Sequence, residues 1–249
     1  MNSEDVKKHF SRDDVVCDYA RAVLRVGLWE SEKIVFLREF EKDCALLELG
    51  CGAGRIAHGL CSLGFSDITA TDFSEKMIDF AREIAGDCGD KTIKYLVADA
   101  TSLPFANESF GGAIFGFNGV MQIPQRANRR RAFSEIFRVL KRGSKFVFTT
   151  HDRLRPENEA FWLEESRRWQ NSSRDSRLDE FGDICYKSDR GEVFIHSPTR
   201  AEVSEDASGA GFEILESAPR SRIAFEPKTV RDFSDECIFW TCRKPLNPQ

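Results

Sequence analysis

The stretch that most restricts this chain is Glu48-Leu49-Gly50-Cys51-Gly52-Ala53-Gly54. It follows an apolar run at 45–50 and leads into a helix-period segment that reaches Leu63 and is closed by Gly64. A buried strand that turns abruptly into a helix is the opening unit of an α/β sheet. Glycines at the turn let the backbone bend and let a bound molecule approach main-chain atoms closely. Gly50, Gly52 and Gly54 therefore mark a ligand-binding elbow, not merely a turn.

The rest of the chain repeats the alternation. Expected helices lie at 14–28 and 32–41, the second capped by Ser31. Expected strands follow at 45–50, 68–72, 93–98, 112–117 and 145–150. Between them lie the glycine-loop helix, a helix at 75–84 capped by Ser74, the connection 101–109, and a helix at 128–140. From Asp152 to about Arg190 the pattern breaks into polar sequence with one helix at 157–170. Two short β-like pieces at 184–187 and 192–196 flank Ser188-Asp189-Arg190-Gly191 and suggest a hairpin. Thr199 with Glu202 forms a capping-box pattern, and strands at 212–216 and 237–243 end the chain. The implied division is a helical cap (1–43), a ligand-binding core (44–151), an inserted lid (152–197) and a C-terminal helix with strands that complete the sheet (198–249).

Composition narrows the class of partner. The 249 residues are 41% apolar and 31% charged, with a net charge of −5. This suits one soluble domain and gives no global pull toward nucleic acid or anionic lipid. No apolar run approaches the ~20 residues of a membrane span, and the polar start lacks a leader's apolar stretch. The expected location is the cytoplasm. The eight cysteines include no CxxC pair, so no metal is expected.

Three acids sharpen the ligand. Glu48 precedes the first glycine by two residues, Asp72 ends the second strand, and Asp99 follows the third. All three fall at carboxyl ends of expected parallel strands, where open α/β sheets bind ligands. The dinucleotide fingerprint G-x-G-x-x-G would need glycine at position 55, which is Arg55. A carboxylate beside the elbow suits a cationic ligand better than a pyrophosphate. S-adenosylmethionine, with an ammonium and a sulfonium, fits; a nicotinamide dinucleotide is the residual alternative. Asp72 suits ribose hydroxyls and Asp99 an adenine amino group.

LLELGCGAGR, TATDFSEKMIDFAR, VADATSLPFANESFGGAIF and EIFRVLKRGSKFVFTT resemble the successive motifs of class I (Rossmann-like) S-adenosylmethionine-dependent methyltransferases. The group nearest in style is the small-molecule "type 11", ubiquinone/menaquinone-biosynthesis-like one. The resemblance implies a three-layer α/β/α sandwich with a mostly parallel seven-stranded sheet whose last strand is antiparallel. It implies Gly50, Cys51 and Gly52 along the methionine moiety, Asp72 on the ribose, and Phe73 and Met77 flanking the adenine. It implies Asp99 and Ala100 on the adenine edge, and Phe117 and Asn118 near the sulfonium. Lys141-Arg142-Gly143-Ser144 departs from the family's K-P-G-G.

Other features admit two readings. Arg126 and Arg129-Arg130-Arg131 read as a solvated helix face, or as a grip on phosphate. As cations in a first helical turn they are misplaced against the helix dipole. His151, just past the fifth strand, is the candidate general base, with packing as its alternative; His196 is a weaker candidate. Aromatics Phe161, Trp162, Trp169, Phe181 and Tyr186 suit either a small core in the insertion or a substrate wall. The resulting expectation is a methyltransferase acting by in-line displacement on a small-molecule nucleophile. The alternatives are action on tRNA or protein, and non-catalytic cofactor binding.

Overall fold

The computed structural model describes residues 1–87, 92–188 and 191–247. Helices α1 (Ser3–Phe10), α2 (Asp13–Arg25) and α3 (Glu30–Glu39) lead into β1 (Leu46–Leu49), α4 (Arg55–Ser62), β2 (Ile68–Asp72), α5 (Glu75–Asp87) and β3 (Ile93–Val97). Then come β4 (Phe110–Phe115), α6 (Arg126–Val139), β5 (Leu140–Thr150), α7 (Glu159–Gln170), β6 (Asp183–Ser188) and β7 (Gly191–His196). The chain closes with α8 (Arg200–Gly209), β8 (Glu213–Pro219), α9 (Arg220–Ile223), α10 (Lys228–Phe233) and β9 (Ile238–Arg243).

Seven strands form one sheet in the order β3-β2-β1-β4-β5-β9-β8. β1 pairs in parallel with β2 and β4, and only β9 runs antiparallel to its neighbours. Strand periodicity explains the layers. Leu46 and Val147 face one core with Phe36 of α3, Leu60 of α4 and Ile78 of α5. Their neighbours Leu47, Phe146 and Phe148 face the other, with Phe133 and Ile136 of α6 and Ala207 of α8. Because both faces are covered, β1 and β2 are buried at every position. The expected α/β/α sandwich with a mostly parallel seven-stranded sheet is therefore the observed fold.

Several boundaries differ from expectation. α1 was not expected, yet Asn2 and Asp5 form a reciprocal capping box and Lys7, Lys8 and His9 occupy the last turn. α3 begins at Glu30 with Trp29 as N-cap; Ser31 lies inside the first turn, and the Glu32 carboxylate accepts the Trp29 amide at 2.9 Å. β4 stops at Phe115, so 116–118 belong to a turn and not a strand. The short helices α9 and α10 were also not anticipated. β6 and β7 pair as the expected hairpin; its turn residues Asp189 and Arg190 lie outside the described residues.

The switch in connection direction between β1 and β4 leaves a crevice at the carboxyl ends of the strands. Helices α1 and α2 roof it, and the hairpin packs against α1. Val6 of α1, Leu178 and Phe194 of β7 share one apolar cluster, with Phe10, Phe73 and Trp169 packed against it.

Candidate functional site

The crevice holds a cavity of about 840 Å³ including its mouth. Gly50 and Gly52 bound it after β1, Asp72 and Phe73 after β2, Asp99 to Thr101 after β3, and Phe115 to Gly119 after β4. Each of these four segments sits at a strand's carboxyl end, so sheet topology brings the sequence motifs together.

The elbow is packed from behind as well as bent. Gly50 and Gly52 have φ of +59° and +53°. A Cβ at Gly50 would stand 2.7 Å from the Phe115 ring, and one at Gly52 2.9 Å from the Tyr19 ring. Both positions thus require glycine for conformation and for space.

Asp72 is held by the elbow it serves. One carboxylate oxygen accepts the Gly52 amide and the other the Ser74 amide, each at 2.9 Å. Burial raises its pKa to about 6, against the pull of these amides. Each oxygen keeps a further acceptor position for a hydroxyl. Asp99 is exposed; one of its oxygens accepts the Thr101 amide and hydroxyl, both at 2.8 Å, and the other is open to a ligand donor.

Glu48 occupies a recess behind the main cavity, bounded also by Cys51, Arg55, Phe117 and Phe233. Only 2% of it is exposed, and Oε2 has no hydrogen-bond partner. Burial pushes its pKa up to about 8, opposed by the positive charge of Arg55. Arg55 itself is committed elsewhere. Its guanidinium forms a two-pronged pair with Glu32 at 2.6 and 2.7 Å and also donates to the Gly27 carbonyl. This buried pair ties α3 to the first turn of α4, directly behind the glycines.

The expected site residues are distributed as follows. Gly50, Gly52, Asp72, Phe73, Met77, Asp99, Ala100 and Phe117 border the main cavity. Glu48 and Cys51 border the recess, where Gly50 and Phe117 recur; burial raises the Cys51 thiol well above its ordinary pKa. Gly54 caps α4 and lies against the Tyr95 hydroxyl. Asn118 and His151 border neither space. His151 donates Nδ1–H to the Glu236 carbonyl at 3.0 Å, which leaves Nε2 to accept from Asn118 Nδ2 at 3.5 Å. Burial lowers its pKa, against that carbonyl, so the imidazole is neutral and facing an amide.

The structure adds residues with no sequence signal tied to the motifs. Val6, Phe10 and Tyr19 roof the cavity, and Gln122, Ile123 and Pro124 form its far wall. The Asn2-x-x-Asp5 capping pattern could have revealed α1, but not what it covers. Phe10 also reaches the loop after β2, since its carbonyl accepts the Ser74 hydroxyl at 3.2 Å.

The arginine run is a solvated face only at Arg130 and Arg131, which are exposed. Arg126 and Arg130 pair with Glu205 and Asp206 of α8, and Arg129 is buried against Glu180. Arg131 alone of the four is exposed without such a pair among the described residues. A helix-dipole penalty of a few tenths of a kcal/mol is thus outweighed by these pairings.

A methyltransferase-domain family model matches residues 47–148. The chain is 29% identical over 170 residues to a demethylmenaquinone methyltransferase of Lactococcus lactis, covering 66% of each protein. It is 33% identical over 102 residues to one of Clavibacter sepedonicus, covering 41% of this chain and 39% of that protein. The matched stretches thus span from over a third to about two thirds of these relatives' lengths. The crystal structure of an S-adenosylmethionine-dependent methyltransferase from Methanosarcina mazei superposes with a TM-score of 0.69 at 22% identity, over 86% of this chain and 98% of that one. Residues 47–148 therefore carry the sequence pattern of the methyltransferase-domain family, and the sheet they build has the fold of an S-adenosylmethionine-dependent methyltransferase.

Proposed function

We propose that this chain transfers a methyl group from S-adenosylmethionine to a small, largely apolar nucleophile. The observation that carries this reading is the meeting of Asp72, Asp99 and the glycine elbow on one cavity whose remaining wall is aromatic and aliphatic. The residues fit the cofactor. Asp72 presents acceptors for the ribose hydroxyls, Asp99 for the adenine amino group, and the unpartnered Glu48 Oε2 for the ammonium end. Met77 and Phe73 supply apolar faces for the base.

When bound, the cofactor supplies an electrophilic sulfonium methyl. The chain's contribution is position and exclusion of water. Phe117 borders both the cavity and the recess, which supports its expected role beside the sulfonium. Phe10 and Tyr19 close the roof and keep solvent from the displacement. His151 and Asn118 stand behind this wall, so no proton transfer is assigned to His151.

Substrate size and charge follow from the walls. Among the described residues, none that borders the main cavity is Lys, Arg or His, which disfavours a phosphorylated or carboxylated acceptor. Of the four arginines that motivated an RNA or protein substrate, Arg126, Arg129 and Arg130 are engaged by acids of the chain itself. The insertion 152–197 serves as the lid, closing against α1. Similarity to the demethylmenaquinone methyltransferases of Lactococcus lactis and Clavibacter sepedonicus is consistent with an apolar acceptor.

Calorimetry with S-adenosylhomocysteine tests the reading. Binding is expected for the natural sequence, and Asp72→Ala is expected to weaken it at least tenfold, because a hydrogen bond to a charged group contributes about 1.5–3 kcal/mol. Absence of heat with the natural protein, or equal affinity in a folded Asp72→Ala, overturns it.

A further inference from the structure

We infer that Arg129 is a positioning residue that locks the far wall of the cavity to the insertion, so that wall and lid move as one. This rests on the proposed function, with the far wall 122–124 taken as the side of the cavity that meets the methyl acceptor.

The geometry comes from a side chain whose placement the sequence left without a reason. Arg129 stands in the first turn of α6, where a cation is disfavoured by the helix dipole, and its side chain is 5% exposed. One guanidinium nitrogen donates to the Ile123 carbonyl at 3.1 Å. The other donates to the Glu180 carboxylate. Ile123 sits in the cavity wall between Gln122 and Pro124. Glu180 precedes β6, in the insertion. A planar fork can span two such partners; an ammonium is a single point of attachment.

Both ends of this link are rigidly attached to what they would move. Asp183 accepts the amides of Asp179 and Glu180 on one oxygen, each at 3.1 Å, and its own amide donates to the Glu180 carbonyl at 3.1 Å. Its other oxygen meets His196 Nδ1 at 2.8 Å, at the far end of β7. Glu180 is therefore fastened across the base of the hairpin. On the wall side, Phe117, Asn118 and Gln125 all hold positive φ, at 48°, 58° and 65°. Non-glycine residues keep that conformation only where surrounding bonds impose it. The Thr149 hydroxyl accepts the Asn118 amide at 2.8 Å, and Arg129 holds the Ile123 carbonyl between these strained positions.

Neither a metal centre nor a clamp between helices accounts for these contacts as well. Glu180, Asp183 and His196 bring potential metal-ligating atoms within 4.8 Å of one another. The Arg129 guanidinium already balances Glu180, and Asp183 has spent its oxygens on two amides and an imidazole. Attachment of α6 to α8 does not need Arg129 either, because Arg126 and Arg130 provide it.

The test is amide hydrogen exchange on the full chain, with and without S-adenosylhomocysteine as the probe. Glu180→Gln alters only the lid end; its side chain is 27% exposed, so the fold should survive. It is expected to raise exchange at least threefold in 119–125, more than fifty residues away, as well as in 179–183. Arg129→Lys should do the same, and the double variant should add nothing further. Glu205→Gln, on α8, should leave 119–125 unchanged. A rise confined to 179–183 overturns the proposal, and so does a uniform rise across the chain or additive effects in the double variant. Loss of probe binding in the natural protein would defeat the methyltransferase reading and leave the coupling to be judged by the exchange alone.

Discussion

The burial of Glu48 costs the folded chain stability. Its folded pKa of about 8 lies far above that of an unfolded glutamate, so the native state holds a proton that the unfolded chain releases. A raised pKa means that full stability is present below the unfolded value and is lost as pH rises through the folded one. The window runs from about pH 4.5 to 8. Asp72, raised to about 6, acts with the same sign in a lower window, about pH 4 to 6. Glu48→Gln removes the larger penalty and keeps the shape. It is expected to stabilise the free protein by about 2–3 kcal/mol at pH 7, from 1.36 kcal/mol per pKa unit, and to weaken S-adenosylhomocysteine binding. Denaturant titration at pH 5 and pH 7 checks this; equal gains at both pH values would contradict the linkage. The sequence placed Glu48 at the elbow. It did not show that the side chain is shut away from water, because burial depends on Phe117, Phe233 and Arg55 arriving from elsewhere.

At the level of elements, α3 and α4 meet through the Glu32–Arg55 pair, both ends of which are at most 9% exposed. Removing one partner leaves a buried charge uncompensated, which costs about 3–5 kcal/mol, whereas the pair itself adds little over an apolar substitute. Arg55→Met is expected to lower stability by that amount, and Arg55→Met with Glu32→Leu to recover most of it; thermal unfolding of the three proteins distinguishes the outcomes. Strand and helix identities were readable here because hydrophobic period and glycine punctuation act locally. The ends of elements were less so. β4 ends two residues early because Gly119 must pass under the Phe115 ring, where a Cβ would lie 2.2 Å away. Trp29 displaced Ser31 as the cap of α3 because the Glu226 carboxylate, from the far end of the chain, takes the Glu30 and Ser31 amides at 3.0 and 2.9 Å.

For the molecule as a whole, ligand binding and proton release should be coupled. An ammonium facing Glu48 favours its carboxylate, so a proton leaves as the ligand enters. Affinity for S-adenosylhomocysteine is expected to rise by up to tenfold per pH unit between about pH 6 and 8 and then level off. Calorimetry at pH 7 in buffers of different ionisation enthalpy should show release approaching one proton per ligand. A flat pH profile would place the ammonium away from Glu48.

The sequence by itself determined the layered sheet, the elbow and the three acids, because each follows from a period or from a residue type at a strand end. Only the tertiary structure decided what the acids face and what closes over them. Val6, Phe10 and Tyr19 of the first two helices and the wall 122–124 join the site through packing between segments a hundred residues apart. His151 was moved out of it by one carbonyl on another strand's approach. The arginine run acquired its meaning from acids on α8 and in the insertion, partners that no local pattern could have named.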